Sequence, residues 1–153
     1  MLTRLIYLFV LLAGALLFGL GAYFQYALHL QPCGPQVLLR YALVSAGLFA
    51  LIALITGTGK IVRIVMSAGI ALASLAGAMV AAHMSWPHHV PLHFAHPDAV
   101  ARSLPMGDVL PKLFGGAGEC DKHWSIVGIS GSEWALIAFI AFIMAAFFAA
   151  RGK

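Results

Sequence analysis

Long apolar runs separated by short polar breaks dominate this chain. Four runs, at about residues 5–24, 41–59, 64–82 and 132–150, approach the roughly 20 residues that a helix needs to cross a hydrocarbon layer of ~30 Å. Lipid satisfies no backbone hydrogen bonds, so spanning segments of this kind are helical. The pattern predicts an all-α membrane protein, a four-transmembrane-helix antiparallel bundle, with residues 1–153 as a single domain.

The breaks between the runs differ greatly in length. The second and third runs are joined by the tight connection Thr56–Arg63, which makes their helices antiparallel neighbours. The other two breaks form loops on the opposite side, at about residues 25–40 and 83–131. In the longer loop, apolar residues at helical spacing over Val109–Phe114 predict a short helix on the membrane surface. Small residues recur every four positions on the third run, which lets a neighbouring helix approach closely. They are Gly69, Ala73, Gly77 and Ala81.

Composition and charge place the bundle in a membrane and orient it. The chain is 62% hydrophobic and 9% charged, whereas a soluble domain carries about 25% charged residues. All five acids fall in the long loop and its edge, while basic residues without acids flank the other side. The positive-inside rule then predicts a multi-pass membrane protein with both termini cytoplasmic and both long loops on the outer side, which for a bacterial inner membrane is the periplasm. The net charge of +4 follows from this bias and does not indicate nucleic acid.

Two cysteines, one in each outer loop, are the candidate redox residues. Cys33 lies just before the second run, and Pro35 suits the first turn of the helix that follows. A cysteine there lies near the positive end of the helix dipole, which favours thiolate. Cys120 has acids and cations as neighbours, which act in opposite directions on its ionisation. In an oxidising compartment such a pair predicts a disulfide, either catalytic or structural, and an inert buried Cys33 is the third interpretation.

Arg40 and His83 are the candidate ligand-binding residues. Arg40 lies at the outer end of the second span, where an arginine is either functional or extends toward the lipid headgroups. His83 ends the third span at the same outer level, on the neighbouring helix. A cation and an imidazole at one depth suit the polar head of a membrane-soluble carbonyl compound such as a quinone.

Histidines and tryptophans near the outer interface have simpler interpretations. The histidine run of the long loop matches no strong zinc spacing and contains no interleaved cysteine or carboxylate, so we predict no metal site. A haem protein would need histidines facing one another inside the bilayer, and no apolar run contains one at its middle. Trp86, Trp124 and Trp134 fall where indole rings prefer to lie at a membrane surface.

Two segments of the chain resemble the DsbB family of disulfide bond formation proteins. GAYFQYALHLQPCGPQVLLRYAL is similar to the family's first loop and the start of its second helix. GAGECDKHWSIVGISGSEWALIAF is similar to the end of its second loop and the entry to its fourth helix. The resemblance implies an inner-membrane enzyme that oxidises a periplasmic DsbA-type thioredoxin-fold protein and passes electrons to a quinone, either ubiquinone or menaquinone. It also implies that Arg40 and His83 take quinone-site positions.

The chain departs from that family pattern at two of four essential cysteines. Gln36 stands where the first-loop pair has its second cysteine, and no cysteine occurs between Gly34 and Glu119. By the resemblance, Cys33 and Cys120 are the two family cysteines that exchange with each other, which implies a Cys33–Cys120 disulfide. The leading hypothesis is therefore a quinone-linked oxidoreductase with these two as catalytic residues. The alternative is a non-catalytic paralogue whose structural disulfide supports binding of a partner or a quinone without turnover.

Overall fold

A computed structural model describes residues 1–29, 33–57, 59–86, 103–114 and 125–152. It confirms the predicted fold class, because each of four long helices contains an 18-residue window with a mean hydropathy of 2.1 to 2.4 and is long enough to cross a membrane. These helices are α1 (Leu2–Ala27), α2 (Gly34–Thr56), α3 (Lys60–Ser85) and α6 (Gly131–Arg151). Between α3 and α6 lie the short helices α4 (Met106–Val109) and α5 (Pro111–Phe114) and the antiparallel strands β1 (Ser125–Ile126) and β2 (Ile129–Ser130).

Helix α2 begins well before the apolar run that predicts it. It starts at Gly34 instead of 41, because its first two turns carry Gln36 and Arg40, which lower the apolar signal without breaking the helix. Pro35 lies in the first turn, where its missing N–H has no helical partner to lose. The helix ends at Thr56, three residues early, and Gly57 follows with a φ of 90° that favours glycine.

The long helices pack in chain order, and α6 closes the bundle against α1. The small-residue stripe on α3 lies at its contacts with both neighbours. A Cβ atom at Gly77 would lie 2.4 Å from the buried Phe139 ring of α6, and one at Gly69 would lie 2.8 Å from the Phe49 ring of α2. Each glycine therefore provides the space that an aromatic side chain from the adjacent helix occupies.

Both chain ends lie at one end of the bundle. A Cβ atom at Gly152 would lie 2.9 Å from the Thr3 hydroxyl oxygen, so the two termini are adjacent. The start of α3 lies there too, because the buried Tyr7 hydroxyl donates to the Arg63 carbonyl at 3.2 Å and lies 3.0 Å from the Ser67 hydroxyl. The basic residues of the termini and of the α2–α3 connection are thus gathered at a single end, which agrees with the charge asymmetry of the sequence.

The predicted surface helix Val109–Phe114 is in fact two four-residue helices, α4 and α5. Pro111 separates them, because it has no N–H with which to continue the helical hydrogen bonds across Leu110. Val109 is 76% exposed, whereas Phe114 is 2% exposed. The segment is therefore anchored to the bundle at its C-terminal end.

The strands β1 and β2 lead directly into α6. Val127 and Gly128 connect them, both with positive φ, as a tight two-residue hairpin turn requires. Ser130 then caps α6: its hydroxyl accepts from the Glu133 N–H at 3.4 Å, while the Glu133 carboxylate accepts from the Ser130 N–H at 2.7 Å. This reciprocal capping box fixes where α6 begins.

Candidate functional site

Arg40 lies about two turns into α2 and is only 9% exposed. One terminal nitrogen of its guanidinium donates to the Leu113 carbonyl of α5, and the other donates to the Gln25 side-chain oxygen of α1. The arginine therefore faces the protein and does not extend toward headgroups. It joins three elements through hydrogen bonds to neutral oxygen atoms.

A cavity with about 690 Å³ of empty space, including its open mouth, lies beside Arg40. All four long helices contribute to its walls, and most of the lining is apolar. The polar side chains that line it among the described residues are Gln36, Arg40, Ser132 and Trp134.

His83 is half-buried at the end of α3 and does not line this cavity, whereas the next residue, Met84, does. Successive helical residues point about 100° apart. Because Met84 forms part of the cavity wall, the His83 side chain points to one side of the cavity. Of the two predicted ligand-binding residues, the structure brings Arg40 to the cavity and leaves His83 beside it.

Three polar residues of the cavity escaped sequence reasoning. The Gln36 side-chain oxygen accepts from the Cys33 N–H at 3.4 Å, and the Ser132 hydroxyl lies 3.3 Å from that of Ser85 and 3.0 Å from that of Ser130. The indole Nε1 of Trp134 is buried and has no hydrogen-bond partner among the described residues. The indication that the sequence offered was their position along the chain. Trp134 and Ser132 lie in the first turn of α6, at the outer end of the bundle and at the level of Arg40.

Cys33 is the N-cap of α2 and is fully buried. It is disulfide-bonded, and no described cysteine is a free thiol. The one other cysteine of the sequence, Cys120, lies outside the described residues. His88, His89, His93 and His96 also lie outside them.

Phe114 fixes α5 at the edge of the cavity. Its buried ring packs with Val37 and lies 5.0 Å from the Tyr41 ring and 6.1 Å from the Phe18 ring, between ring centroids. Phe18 also lines the cavity. Together with the hydrogen bond from Arg40 to Leu113, this aromatic cluster holds the loop segment against α1 and α2.

The comparison with known proteins decides the family. Residues 3–149 match the family model described as "Disulfide bond formation protein DsbB". This chain belongs to the DsbB family. A disulfide bond formation protein B from Aromatoleum aromaticum is 38% identical over 140 residues, which cover 88% of this chain and 84% of that protein. Namesakes from Azoarcus sp. and Chromohalobacter salexigens are 32% and 35% identical, over 98% and 88% of this chain and 93% and 82% of their own lengths.

This chain of the DsbB family is therefore a membrane disulfide bond formation protein. Its relatives imply a disulfide oxidoreductase activity. The cavity has the chemistry for a mostly apolar ligand that carries oxygen acceptors. Its walls are mostly apolar, its described polar side chains include the cation of Arg40, and no carboxylate lines it among the described residues. These features fit the ring of a quinone, which presents carbonyl oxygens and no donor.

Proposed function

We propose that this chain oxidises a periplasmic DsbA-type thioredoxin-fold protein and passes the electrons to a quinone, ubiquinone or menaquinone, at the cavity beside Arg40. The observation that carries the proposal is the proximity of the two functional parts. Gln36 lines the cavity and accepts a hydrogen bond from the backbone of the disulfide-bonded Cys33. One turn of α2 therefore links the redox residue to the ligand site.

The proposed reaction uses Cys33 and Cys120 as a single catalytic disulfide. A thiolate of the partner attacks this disulfide, and one chain cysteine leaves as a thiolate. The second partner thiol then attacks the mixed disulfide, which gives an oxidised partner and two reduced chain cysteines. A quinone, when bound, supplies an acceptor for the two electrons and two protons, and the chain disulfide re-forms.

Arg40, His83 and Gln36 have separate parts in this proposal. Arg40 supplies the positive charge of the quinone site and, through Leu113, holds α5 at the cavity edge. His83, next to the wall residue Met84, remains a predicted site residue at the outer end of α3, where an imidazole can exchange protons. Gln36 provides a carboxamide where the family pattern has a thiol, so Cys33 is the one first-loop cysteine left to exchange electrons with the acceptor.

We place the protein in a bacterial inner membrane with both termini in the cytoplasm. The adjacent termini and the α2–α3 connection form the basic end of the bundle, which the positive-inside rule assigns to the cytoplasm. The cavity and the start of α2 then lie toward the periplasm, where the partner would be met.

Quinone-coupled oxidation of a reduced DsbA-type protein by the purified chain tests the proposal. We expect one quinone reduced per partner disulfide formed, and no turnover in Cys33→Ser or Cys120→Ser. Quinone mixed with the reduced partner alone is the background control. If the wild-type chain adds nothing to that background while its disulfide is intact, the enzyme proposal fails.

A non-catalytic paralogue is the second candidate, and two observations favour it. Cys33 is fully buried, which hinders attack by a partner thiol, and Gln36 replaces a family thiol. In that case the disulfide is structural, and the protein binds a partner or a quinone without turnover. A mixed disulfide between the chain and a partner variant with a single cysteine would exclude this candidate.

A further inference from the structure

The disulfide at Cys33 has two sulfur atoms, and burial makes them unequal targets. Cys33 is disulfide-bonded, and 0% of its surface is exposed. A thiolate opens a disulfide by attacking one of its two sulfur atoms, and the rate depends on access to that atom. A partner thiolate has no path to the Cys33 sulfur in the folded chain. The sulfur on the far side of the bond is therefore the one left for attack.

The start of α2 suits Cys33 to the other role, that of the leaving group. Cys33 is the N-cap of this 23-residue helix, and its side chain faces the backbone N–H of Gln36. N–H groups and the positive end of the helix dipole stabilise a thiolate at such a position. They also replace part of the hydration that a buried thiolate loses. A sulfur that is more stable as a thiolate leaves faster in disulfide exchange.

Gln36 completes this cap and joins it to the cavity. Its side-chain oxygen accepts from the Cys33 N–H at 3.4 Å, which closes a reciprocal capping box. Glutamine and glutamate are the residues that a capping box favours at this position, whereas a thiol is a weak acceptor. The same half-buried side chain lines the cavity. The replacement that removes one family thiol thus builds a cap around the thiol that remains.

We propose that a partner thiolate attacks the sulfur of Cys120, the other cysteine of the sequence, and that Cys33 is the leaving group. The partner sulfur bonds to the Cys120 sulfur, the Cys33–Cys120 bond breaks, and its electron pair stays on Cys33 as a thiolate. Gln36 is a positioning residue that acts through Cys33. The inference rests on the proposed function, in which these cysteines form one disulfide, and adds the direction in which that disulfide opens.

The direction is tested with 2-mercaptoethanol, a small thiol that carries no charge besides its thiolate. The full-length chain in nanodiscs is treated with it, quenched with acid at early times and alkylated in denaturant, and peptide mass spectrometry then identifies each cysteine. We expect the probe on Cys120 and an alkylated thiol on Cys33. The same reaction in unfolded chain is the control and should lose this preference. The probe on Cys33, equal amounts on both cysteines, or no opening of the folded chain's disulfide would overturn the inference.

A charge beside the leaving sulfur tests the role of Gln36. Gln36→Glu keeps a capping acceptor, as Glu133 does for Ser130 in α6, but adds a negative charge next to Cys33 at about pH 8. We expect 2-mercaptoethanol to open the disulfide about tenfold more slowly in this variant, because the forming Cys33 thiolate is repelled. Gln36→Ala loses the acceptor without adding charge and should be slowed less. Equal rates in the two variants would show that no charge develops on Cys33, which would overturn the inference.

Quinone turnover with a reduced DsbA-type protein is measured separately, so the two possible failures are distinguishable. If the wild-type chain reduces no quinone while the probe still attaches to Cys120, the proposed function fails and the direction of opening stands. If the probe attaches to Cys33 in a chain that does reduce quinone, only the direction is overturned.

Discussion

At the scale of single residues, Arg40 has the most consequential side chain. Its planar guanidinium reaches two acceptors that lie on different elements, Gln25 on α1 and Leu113 on α5. An ammonium group is a compact point charge and does not offer the same fixed fork. Arg40 therefore combines a charge for the ligand site with a structural connection between the bundle and the loop.

We predict that Arg40→Ala weakens both the fold and the ligand site. The buried Gln25 side chain loses its donor at a cost of about 1–3 kcal/mol, the half-buried Leu113 carbonyl loses its donor at a smaller cost, and the cavity loses its charge. Thermal unfolding and quinone titration in nanodiscs measure the two effects. Arg40→Lys is the matched variant: it keeps the charge, so it should retain more quinone affinity than Arg40→Ala while remaining less stable than the wild type. Wild-type stability and affinity in Arg40→Ala would contradict both roles.

Val127 is a second residue that departs from ordinary preference. It has a φ of 56°, a conformation that disfavours β-branched side chains, and it is 90% exposed. We predict that Val127→Asn raises the free energy of unfolding by about 1 kcal/mol, because asparagine tolerates this region and little burial is lost. Chemical unfolding in detergent measures it. The neighbouring Gly128→Ala should have the opposite sign, since Gly128 has a φ of 78°. A less stable Val127→Asn protein would disprove the strain.

Some residues of the candidate site were predictable from the sequence, and others were not. Arg40 was detectable because it is the one charged residue between Arg4 and Lys60. Trp134 and Gln36 were not, because an interfacial indole and a loop amide have common explanations. The missing hydrogen-bond partner of Trp134 and the contact of Gln36 with Cys33 depend on how α2 and α6 pack, which one sequence does not give.

At the scale of elements, the four long helices were predictable from apolar length alone, and their ends were not. Helix α2 gains two turns because Gln36 accepts a hydrogen bond from its own N-cap residue, Cys33, and Arg40 donates to Gln25 of α1. A hydropathy pattern does not register either interaction. The loop helix divides because Pro111 interrupts the hydrogen-bond pattern. Local chemistry near proline and capping residues therefore sets the boundaries that apolar periodicity leaves open.

The contact between α3 and α6 gives a prediction at this scale. Gly77→Ala should destabilise the bundle by about 1–3 kcal/mol, because the new methyl group would lie 2.4 Å from the buried ring of Phe139. Gly19→Ala on α1 is the matched control, since no atom lies within 4 Å of a Cβ there. Thermal unfolding of both variants in the same detergent measures the difference. Equal stability of the two would show that the Phe139 ring moves aside freely.

At the scale of the whole molecule, the bundle has two chemically different ends. The termini and the α2–α3 connection share the basic end, whereas the cavity, Cys33 and α5 belong to the other. The sequence already predicted this division from charge, and the contacts at Thr3 and Tyr7 join the basic segments in space. The cavity was not predictable from the charge pattern, because its walls come from all four long helices.

Orientation is tested by cysteine labelling in a Cys33→Ser, Cys120→Ser background. A membrane-impermeant maleimide should label Val109→Cys in spheroplasts, because Val109 is exposed on the loop side. The same reagent should label Lys153→Cys, at the chain's last residue, only after lysis. Labelling of the C-terminal cysteine in intact spheroplasts would reverse the proposed topology.

The last prediction concerns a disulfide between the two outer loops. We predict that the partner of the disulfide-bonded Cys33 is Cys120, the other cysteine of the sequence. Chain entropy alone would give such a bond about 4–5 kcal/mol in a free chain. The gain should be smaller here, because the membrane already restrains the helices that the bond joins. Its main effect is then to hold the loop over the cavity, alongside Arg40 and Phe114.

Cys33→Ser should accordingly make the loop more sensitive to protease while the helical content of the bundle persists, as circular dichroism would show. Cys120→Ser should behave in the same way, because either substitution removes the same disulfide bond. Alkylation under denaturing, non-reducing conditions should find no free thiol in the wild-type chain, and two after reduction. Two reactive thiols before reduction would refute the pairing, and the catalytic disulfide that the proposed function requires would be refuted with it.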